Sequence, residues 1–476
     1  MSDDKNKKIL NHNQKIIVNH IYKNKNKLKN FNKTIPHDID YLIIGGGIAG
    51  IACGLILLEK GKSFIIFEKS NYVGGVWNNA LSTSELQTDR LYYKFKDYEY
   101  DKTIPRFPNK KHILEYLECV INKSNLNRHI YFGIKTVNYK KYIDINNCHN
   151  HNKWEVTFKI NDNQTQKINC NHLVFCTGKN SIPNIPSSLK PYTEKKNDKI
   201  DIIHSSEFHK YYNERKLKQV KKMVIVGNGA SACDILKFIN NYNRDRKLEI
   251  TMLYNNTKYF VKKKILGIPG SNMLSKRFLY FFENCKNSTN QFLINLANIF
   301  VFRNYLDSPK EKIQSTNIIG SLIINEMLNK RNNTTFTYLK DKIKDINIPT
   351  KSIILGSGEG IITDIDLLIF ATGYSYKTIE YDFLYKYCIP VDNDKIIENC
   401  AYIGFNPKYN FIEECEKLML FYLEFYENLN NLNKPNITLF SDINISNNVK
   451  KWYVSNKKRK DKNNLDFLDC TYELFE

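Results

Sequence analysis

The chain has 476 residues and a formal net charge of +22, with 71 Lys and Arg against 49 Asp and Glu. That length accommodates two or three domains and a large core. The positive charge would mark a nucleic-acid groove if it formed one stripe with interleaved aromatics, but Lys and Asn are over-used in tails and loops alike, so a general compositional bias is the reading and no nucleic-acid partner is expected.

The eleven Cys form no C-x-x-C pair or metal-ligand cluster and the ten His form no H-x-x-x-H pair, so no metal site is expected and a reducing, cytoplasmic setting is. No apolar run reaches the roughly 18 residues of a membrane span, which leaves at most peripheral membrane contact. Residues 1–36, rich in Lys and Asn, read as a disordered basic tail.

From Ile39 to Ile44 the chain is apolar and β-branched, as a buried parallel strand requires. Gly45-Gly46-Gly47-Ile48-Ala49-Gly50 follows at G-x-G-x-x-G spacing. Gly45 permits the tight turn, Gly47 the approach of a pyrophosphate, and Gly50 close packing of the next helix. That helix, expected over Ile51–Lys60, stops at Gly61 and directs free N–H groups at phosphate. A second strand, Phe64–Phe67, closes on Glu68-Lys69, and an acid there binds adenosine ribose hydroxyls. Strand, glycines, helix, strand and acid in this order predict a dinucleotide site.

Gly74-Gly75-Val76-Trp77 then reads as a loop lying on a flat ring system, with Trp77 a packing residue beside it. Leu86-Gln87-Thr88-Asp89 follows, and Lys111–Leu117 has helical spacing. Residues 131–175 alternate as a small β-meander ending in Cys176-Thr177-Gly178. Beyond Pro183 and Pro186 the opening pattern recurs: Met223–Val226, then Gly227-Asn228-Gly229-Ala230-Ser231-Ala232. Ser231 lies within reach of a phosphate, and Asp234 is expected to share in capping that helix. The paired strand, Leu248–Tyr254, closes on Asn255-Asn256-Thr257-Lys258 rather than an acid, which tolerates a 2′-phosphate and favours NADPH. Residues 260–330 read as a largely helical insertion. Asp366–Phe370 ends in Ala371-Thr372-Gly373-Tyr374, repeating the earlier Thr-Gly crossing, and an apolar helix surrounds Leu418–Tyr426.

The glycine fingerprints, Gly-Gly-x-Trp, the Ser-Ala-x-Asp-Ile after the second glycines, and Ala-Thr-Gly-Tyr together resemble the flavin-containing monooxygenase family from about Asp38 onward. Ser82-Thr83 and Leu86-Gln87-Thr88 resemble its plant branch most. The resemblance implies an α/β fold of two Rossmann-like domains, the NADPH domain inserted into the FAD domain. The expected boundaries are 37–178 and 373–476 for FAD and 179–372 for NADPH. It implies FAD and NADPH as cofactors, and transfer of one oxygen atom from a C4a-hydroperoxyflavin to a nitrogen or sulfur of a small molecule.

Two departures stand out. Asp198 and Ile200 replace the Phe and Gly of the family motif before His204, and Asp89 follows Thr88 where many members carry an Asn near the flavin edge. Asp89 and His204 are the two candidate catalytic residues, with His204 also read as a polar residue that fixes the chain. The alternative function, motivated by Asp89, is an NADPH oxidase or diaphorase releasing hydrogen peroxide.

Overall fold

The computed structural model describes residues 16–18, 34–143, 152–161, 164–180, 182–194, 199–213, 216–242, 247–255, 260–261, 264–265, 268–269, 290, 301–302, 318–319, 324, 327, 334–358, 360–375, 382–384, 388–392, 395–405 and 411–431. The chain divides into two compact units. Among the described residues the first holds the chain up to Asn78, Arg90–Gly178 and residues 382–431, and the second holds Asn79–Asp89 and residues 179–375.

In the first unit, strand β1 (Asp38–Ile44) enters helix α1 (Ile48–Glu59) through the glycines and returns in β2 (Phe64–Glu68). Nine of the twelve α1 residues are buried, so the helix packs on every side rather than along one stripe. It starts at Ile48, three residues before the expected start, because Gly47 already takes the N-cap position. Its end is a Schellman motif. Gly61 (φ +64°) and Lys62 donate backwards to the carbonyls of Leu58 and Leu57 at 3.1 and 2.9 Å.

A short helix α2 (Val76–Asn79) follows the Gly-Gly loop, and α3 (Lys110–Lys123) opens with an Asn109–His112 capping box. The strands β3 (Ile130–Phe132), β4 (Ile134–Ile143), β5 (Asn152–Ile160) and β6 (Gln164–Phe175) complete the sheet in the order β3-β2-β1-β6-β5-β4. β3, β2, β1 and β6 run parallel, and β6, β5 and β4 form the antiparallel meander.

The second sheet is parallel throughout. Its strands are β7 (Asp201–His204), β8 (Lys222–Val226), β9 (Leu248–Tyr254), β10 (Thr334–Lys340) and β11 (Leu367–Phe370), in the order β7-β11-β8-β9-β10. Helix α4 (Ala230–Tyr242) follows the second glycine turn. The first unit then resumes with β12 (Cys400–Tyr402), parallel to β6, and α5 (Phe411–Asn431).

Three expectations need correction. Inside the tail read as disordered, Ile16–Val18 pairs in parallel with Tyr98–Tyr100, since three consecutive β-branched residues favour a strand; the rest of residues 1–33 lies outside the described residues. Asn79–Asp89 belongs to the second unit, because Leu81 is buried in that unit's core. Residues 373–375 do too, because Tyr374–Ser375 pairs with Ile182–Pro183. Most of the stretch 260–330, read as helical and mixed in pattern, lies outside the described residues; among those described, short strand pieces such as Phe260–Val261 stand beside the helical, buried Ile324 and Met327.

Helix α5 buries Glu416 (6% exposed), whose carboxylate accepts the Lys96 N–H at 3.2 Å. Burial, with Asp97 and Glu413 adding to it, pushes this carboxyl from 4.5 up to about 7. A raised folded-state value means that the group's stabilising contribution is complete below about 4.5 and is lost as pH rises through about 7. Glu416→Gln is therefore expected to match the parent near the lower pH and exceed it above the upper one, by on the order of 3 kcal/mol. Denaturant midpoints measured across that range check this, and parallel curves for the two proteins would refute it.

Candidate functional site

The two glycine turns are built alike. In the first unit Gly45 N–H donates to the Phe67 carbonyl at 2.7 Å, and Cys176 N–H donates to the Ile44 carbonyl at 2.8 Å. In the second, Gly227 N–H donates to the Leu253 carbonyl at 2.7 Å and Ala371 N–H to that of Val226 at 2.8 Å. Gly45 has φ +113° and Gly227 φ +105°. A β-carbon on Gly45 would lie 2.6 Å from the Cys176 oxygen, and one on Gly227 would lie 2.4 Å from the Ala371 oxygen. Each turn is thus roofed by the backbone of its own Thr-Gly crossing, and only glycine satisfies both the dihedral and the contact.

Gly50 serves a second approach. Its β-carbon would stand 1.9 Å from the Gly45 oxygen, so α1 lies on the turn itself. The α1 N-terminus has no side-chain cap and no acid in its first turn. Gly74 N–H donates to the Gly46 carbonyl at 3.2 Å, and a β-carbon on Gly75 would come 3.3 Å from the Gly47 α-carbon. Two bare backbones therefore face each other beside the free N–H groups of a helix. That cradle fits an anionic diphosphate. Val76 is exposed, and Trp77 is half-buried with its Nε1–H donating to the Tyr93 hydroxyl at 2.9 Å, as a packing residue would.

Glu68 is buried at the end of β2. Its Oε2 accepts Gly46 N–H at 2.7 Å and its Oε1 accepts both Ser70 N–H and Oγ–H at 2.8 Å, so the acid ties the glycine turn to its neighbouring strand. Ile48 and Ala49 are buried beneath the turn, while Lys69 and Thr177 are exposed and Gly178 has φ +70°.

In the second unit the Asn228 side chain turns inward and donates to the Tyr338 hydroxyl at 3.0 Å, and that ring stacks on Tyr254. Gly229, Ala230, Ser231 and Ala232 lead into α4, which carries no acid in its first turn. Asp234 sits in the second turn of that helix and accepts the Ser84 hydroxyl at 2.6 Å. Lys258, with Asn256 and Thr257, lies outside the described residues; Asn255 is exposed at the end of β9.

His204 is buried (2% exposed). Its Nδ1 accepts the Ser206 N–H at 3.2 Å, so Nε2 carries the proton and donates to the Gly373 carbonyl at 2.9 Å. Burial lowers its pKa, outweighing the Gly373 contact and Glu207, and favours a neutral ring. Asn184 holds the same crossing, its N–H donating to the Gly373 carbonyl at 3.0 Å and its own carbonyl accepting the Thr372 hydroxyl. His204 acts here as a staple on Thr372-Gly373-Tyr374. Thr88 is half-buried, and Asp89 is wholly buried.

Sequence reasoning missed Asn184, Ser84 and the two roofing carbonyls. Only the repeated Thr-Gly pair signalled the roof. Gly50→Ala is expected to drive a methyl into the Gly45 carbonyl and to cost roughly 3 kcal/mol through overpacking. Gly61→Ala, where nothing lies within 4 Å but φ is +64°, is expected to cost only about 1–2 kcal/mol. Denaturant midpoints compare them, and equal losses would mean that the turn yields.

The family model FMO-like, described as flavin-binding monooxygenase-like, matches residues 40–469. Flavin-containing monooxygenase 5 of Cavia porcellus is 25% identical over 378 residues, which is 75% of this chain and 64% of that protein. The chain thus matches a little under two thirds of that relative's length. Among solved structures, Tmm from Pelagibacter sp. strain HTCC7211 superposes with a TM-score of 0.55 at 16% identity, over 90% of this chain and 82% of that one. An oxidised steroid monooxygenase bound to NADP gives a TM-score of 0.57 at 15% identity, over 83% and 86%. The two glycine turns, each at the head of a largely or wholly parallel sheet, lie within the matched span, and the chain belongs to the flavin-binding monooxygenase-like family.

Proposed function

We propose that the chain is an NADPH-dependent flavoprotein monooxygenase that delivers one atom of dioxygen to a soft nitrogen or sulfur of a small molecule. The observation that carries this reading is the pair of roofed glycine turns, one per unit, each opening a helix with no acid in its first turn. FAD belongs to the first unit, where β2 ends in Glu68 and the bare Gly47–Gly75 cradle admits a diphosphate. NADPH belongs to the second, where β9 runs into Asn255 instead of an acid and Lys258 is assigned to the 2′-phosphate. The relatives' own names, a flavin-containing monooxygenase and a steroid monooxygenase bound to NADP, support the same pair.

The cofactors would supply hydride transfer and oxygen activation when bound. The chain's own groups would bind and orient them: α1 and the glycine backbone would hold the diphosphate, Glu68 would accept ribose hydroxyls beside its Gly46 and Ser70 contacts, and Ser231 would reach a phosphate, while His204 and Asn184 fix the second crossing. No proton relay is required of them, which accords with a His204 committed to backbone contacts. Among the described residues eight cysteines are free and buried, and no helix is long and apolar enough to cross a membrane. The free thiols fit a reducing, cytoplasmic setting.

The test is anaerobic reduction of the purified yellow protein, followed by oxygen under rapid-scan spectroscopy. NADPH is expected to bleach the flavin much faster than NADH. Oxygen should then restore it in two resolved phases, with less than one peroxide released per NADPH when an amine or sulfide is present. A single phase yielding one peroxide per NADPH would leave the oxidase reading standing and remove this one.

The oxidase reading has one observation in its favour, the wholly buried carboxylate of Asp89. An Asn amide in its place would always carry N–H donors, which a carboxyl group does not have. Asp89→Asn is expected to lower peroxide released per NADPH at least twofold, with flavin reduction unchanged. Equal leakage from both proteins would return Asp89 to a purely structural role.

A further inference from the structure

The segment Asn79–Asp89 leaves the first unit at Asn78, joins the second, and returns at Arg90. Both ends are held in the first unit by cations on carbonyls. Lys110 Nζ donates to the Asn78 carbonyl at 2.8 Å, while the Arg90 guanidinium donates to the carbonyls of Asp101 and Ile104. Trp77 and Tyr93 join the two ends by their 2.9 Å hydrogen bond.

The middle is held in the second unit. Leu81 is buried in its core, Ser84 (4% exposed) donates to Asp234 on α4 at 2.6 Å, and Glu85 meets Lys237 one turn further along α4 at 2.9 Å. The half-exposed Glu85–Lys237 pair contributes little by itself. The part-buried Ser84–Asp234 bond contributes more, because a carboxylate is one of its partners. Only Asn79 and Ala80 separate Asn78 from Leu81, so covalent geometry keeps the α-carbons of Asn78 and Leu81 within roughly 11 Å. Asn78 in turn holds the Gly74–Trp77 loop: its N–H donates to the Gly75 carbonyl at 3.1 Å and its side chain to that of Val73 at 2.9 Å.

We propose that Asn79–Asp89 is a coupling strap, through which nicotinamide nucleotide bound at the N-terminus of α4 and flavin held by the Gly74–Trp77 loop tighten each other's binding. This rests on the assignment of FAD to the first unit and NADPH to the second. Ser84 and Asp234 are then positioning residues, acting on each cofactor through the strap without touching it. Linkage makes the effect reciprocal: the factor by which NADP⁺ tightens FAD is the factor by which FAD tightens NADP⁺.

The experiment measures the FAD dissociation constant of the holoenzyme, by flavin fluorescence on dilution, with and without saturating NADP⁺. In the parent, NADP⁺ is expected to tighten FAD about fivefold, the low end of such couplings. Ser84→Ala should reduce that factor below about two and weaken holoenzyme NADP⁺ binding by the same ratio. Asp234→Asn, which keeps an acceptor for Ser84, should retain the factor. If Ser84→Ala does not fold, Asp234→Ala removes the acceptor of the same bond, and a lowered factor supports the strap. Equal factors in parent and variant, or no tightening in a parent that binds both cofactors, overturn the strap and leave the function standing. A parent that binds no flavin or no NADP⁺ overturns both.

Discussion

A backbone carbonyl standing where a β-carbon would be is the contact on which the rest of the molecule turns. The Cys176 oxygen does this to Gly45, and the Ala371 oxygen does it to Gly227. Because the roof comes from the neighbouring parallel strand, the turn is held to the register of its sheet. Ile44 must sit opposite Phe175 and Val226 opposite Phe370 for the oxygen to arrive. A slip of one residue would replace the oxygen with a side chain and exchange the buried faces of β1 or β8. The buried runs Tyr41–Ile44, Leu173–Phe175, Met223–Ile225 and Leu367–Phe370 hold that register, and each buried aliphatic or aromatic side chain adds about 1.5–3 kcal/mol.

From that contact outward, the site is made of backbone rather than of reactive side chains. The helix N-termini, the Gly47–Gly75 approach and the Thr-Gly crossings present N–H groups and bare α-carbons. The ionisable residues nearby are turned to holding that backbone in place. Glu68 spans Gly46 and Ser70, and His204 grips Gly373 and Ser206. This division of labour suits chemistry carried by cofactors, where the protein's part is placement and exclusion of water.

Much of this was legible before any coordinates. Glycine spacing, β-branched runs and Gly61 mark turn, strand and helix end because each is dictated by local dihedrals and periodicity. The Thr-Gly repeat marked both crossings for the same reason. What stayed hidden is what sequence distance conceals. Ser84 meets Asp234 across 150 residues, and Asn184 meets Thr372 across 188. Asn79–Asp89 read as part of the first domain because nothing local in Leu81 or Ser84 says which core will bury them.

The strand order of the second sheet bears on how the chain acquires its structure during synthesis. β11 lies between β7 and β8, yet it is made about 140 residues after β8. At ribosomal speeds that is roughly 7–30 s in which two parallel strands wait for the one that separates them. The first unit waits longer still, since β12 and α5 come later in the chain. The first turn has its roof once Cys176 is made but waits for β12 and α5 to complete its unit, and the second has no roof until Ala371 is made. Apolar strand edges stand open through that interval, and a nascent chain of this topology makes its heaviest demand on chaperones before either cofactor has a site to occupy.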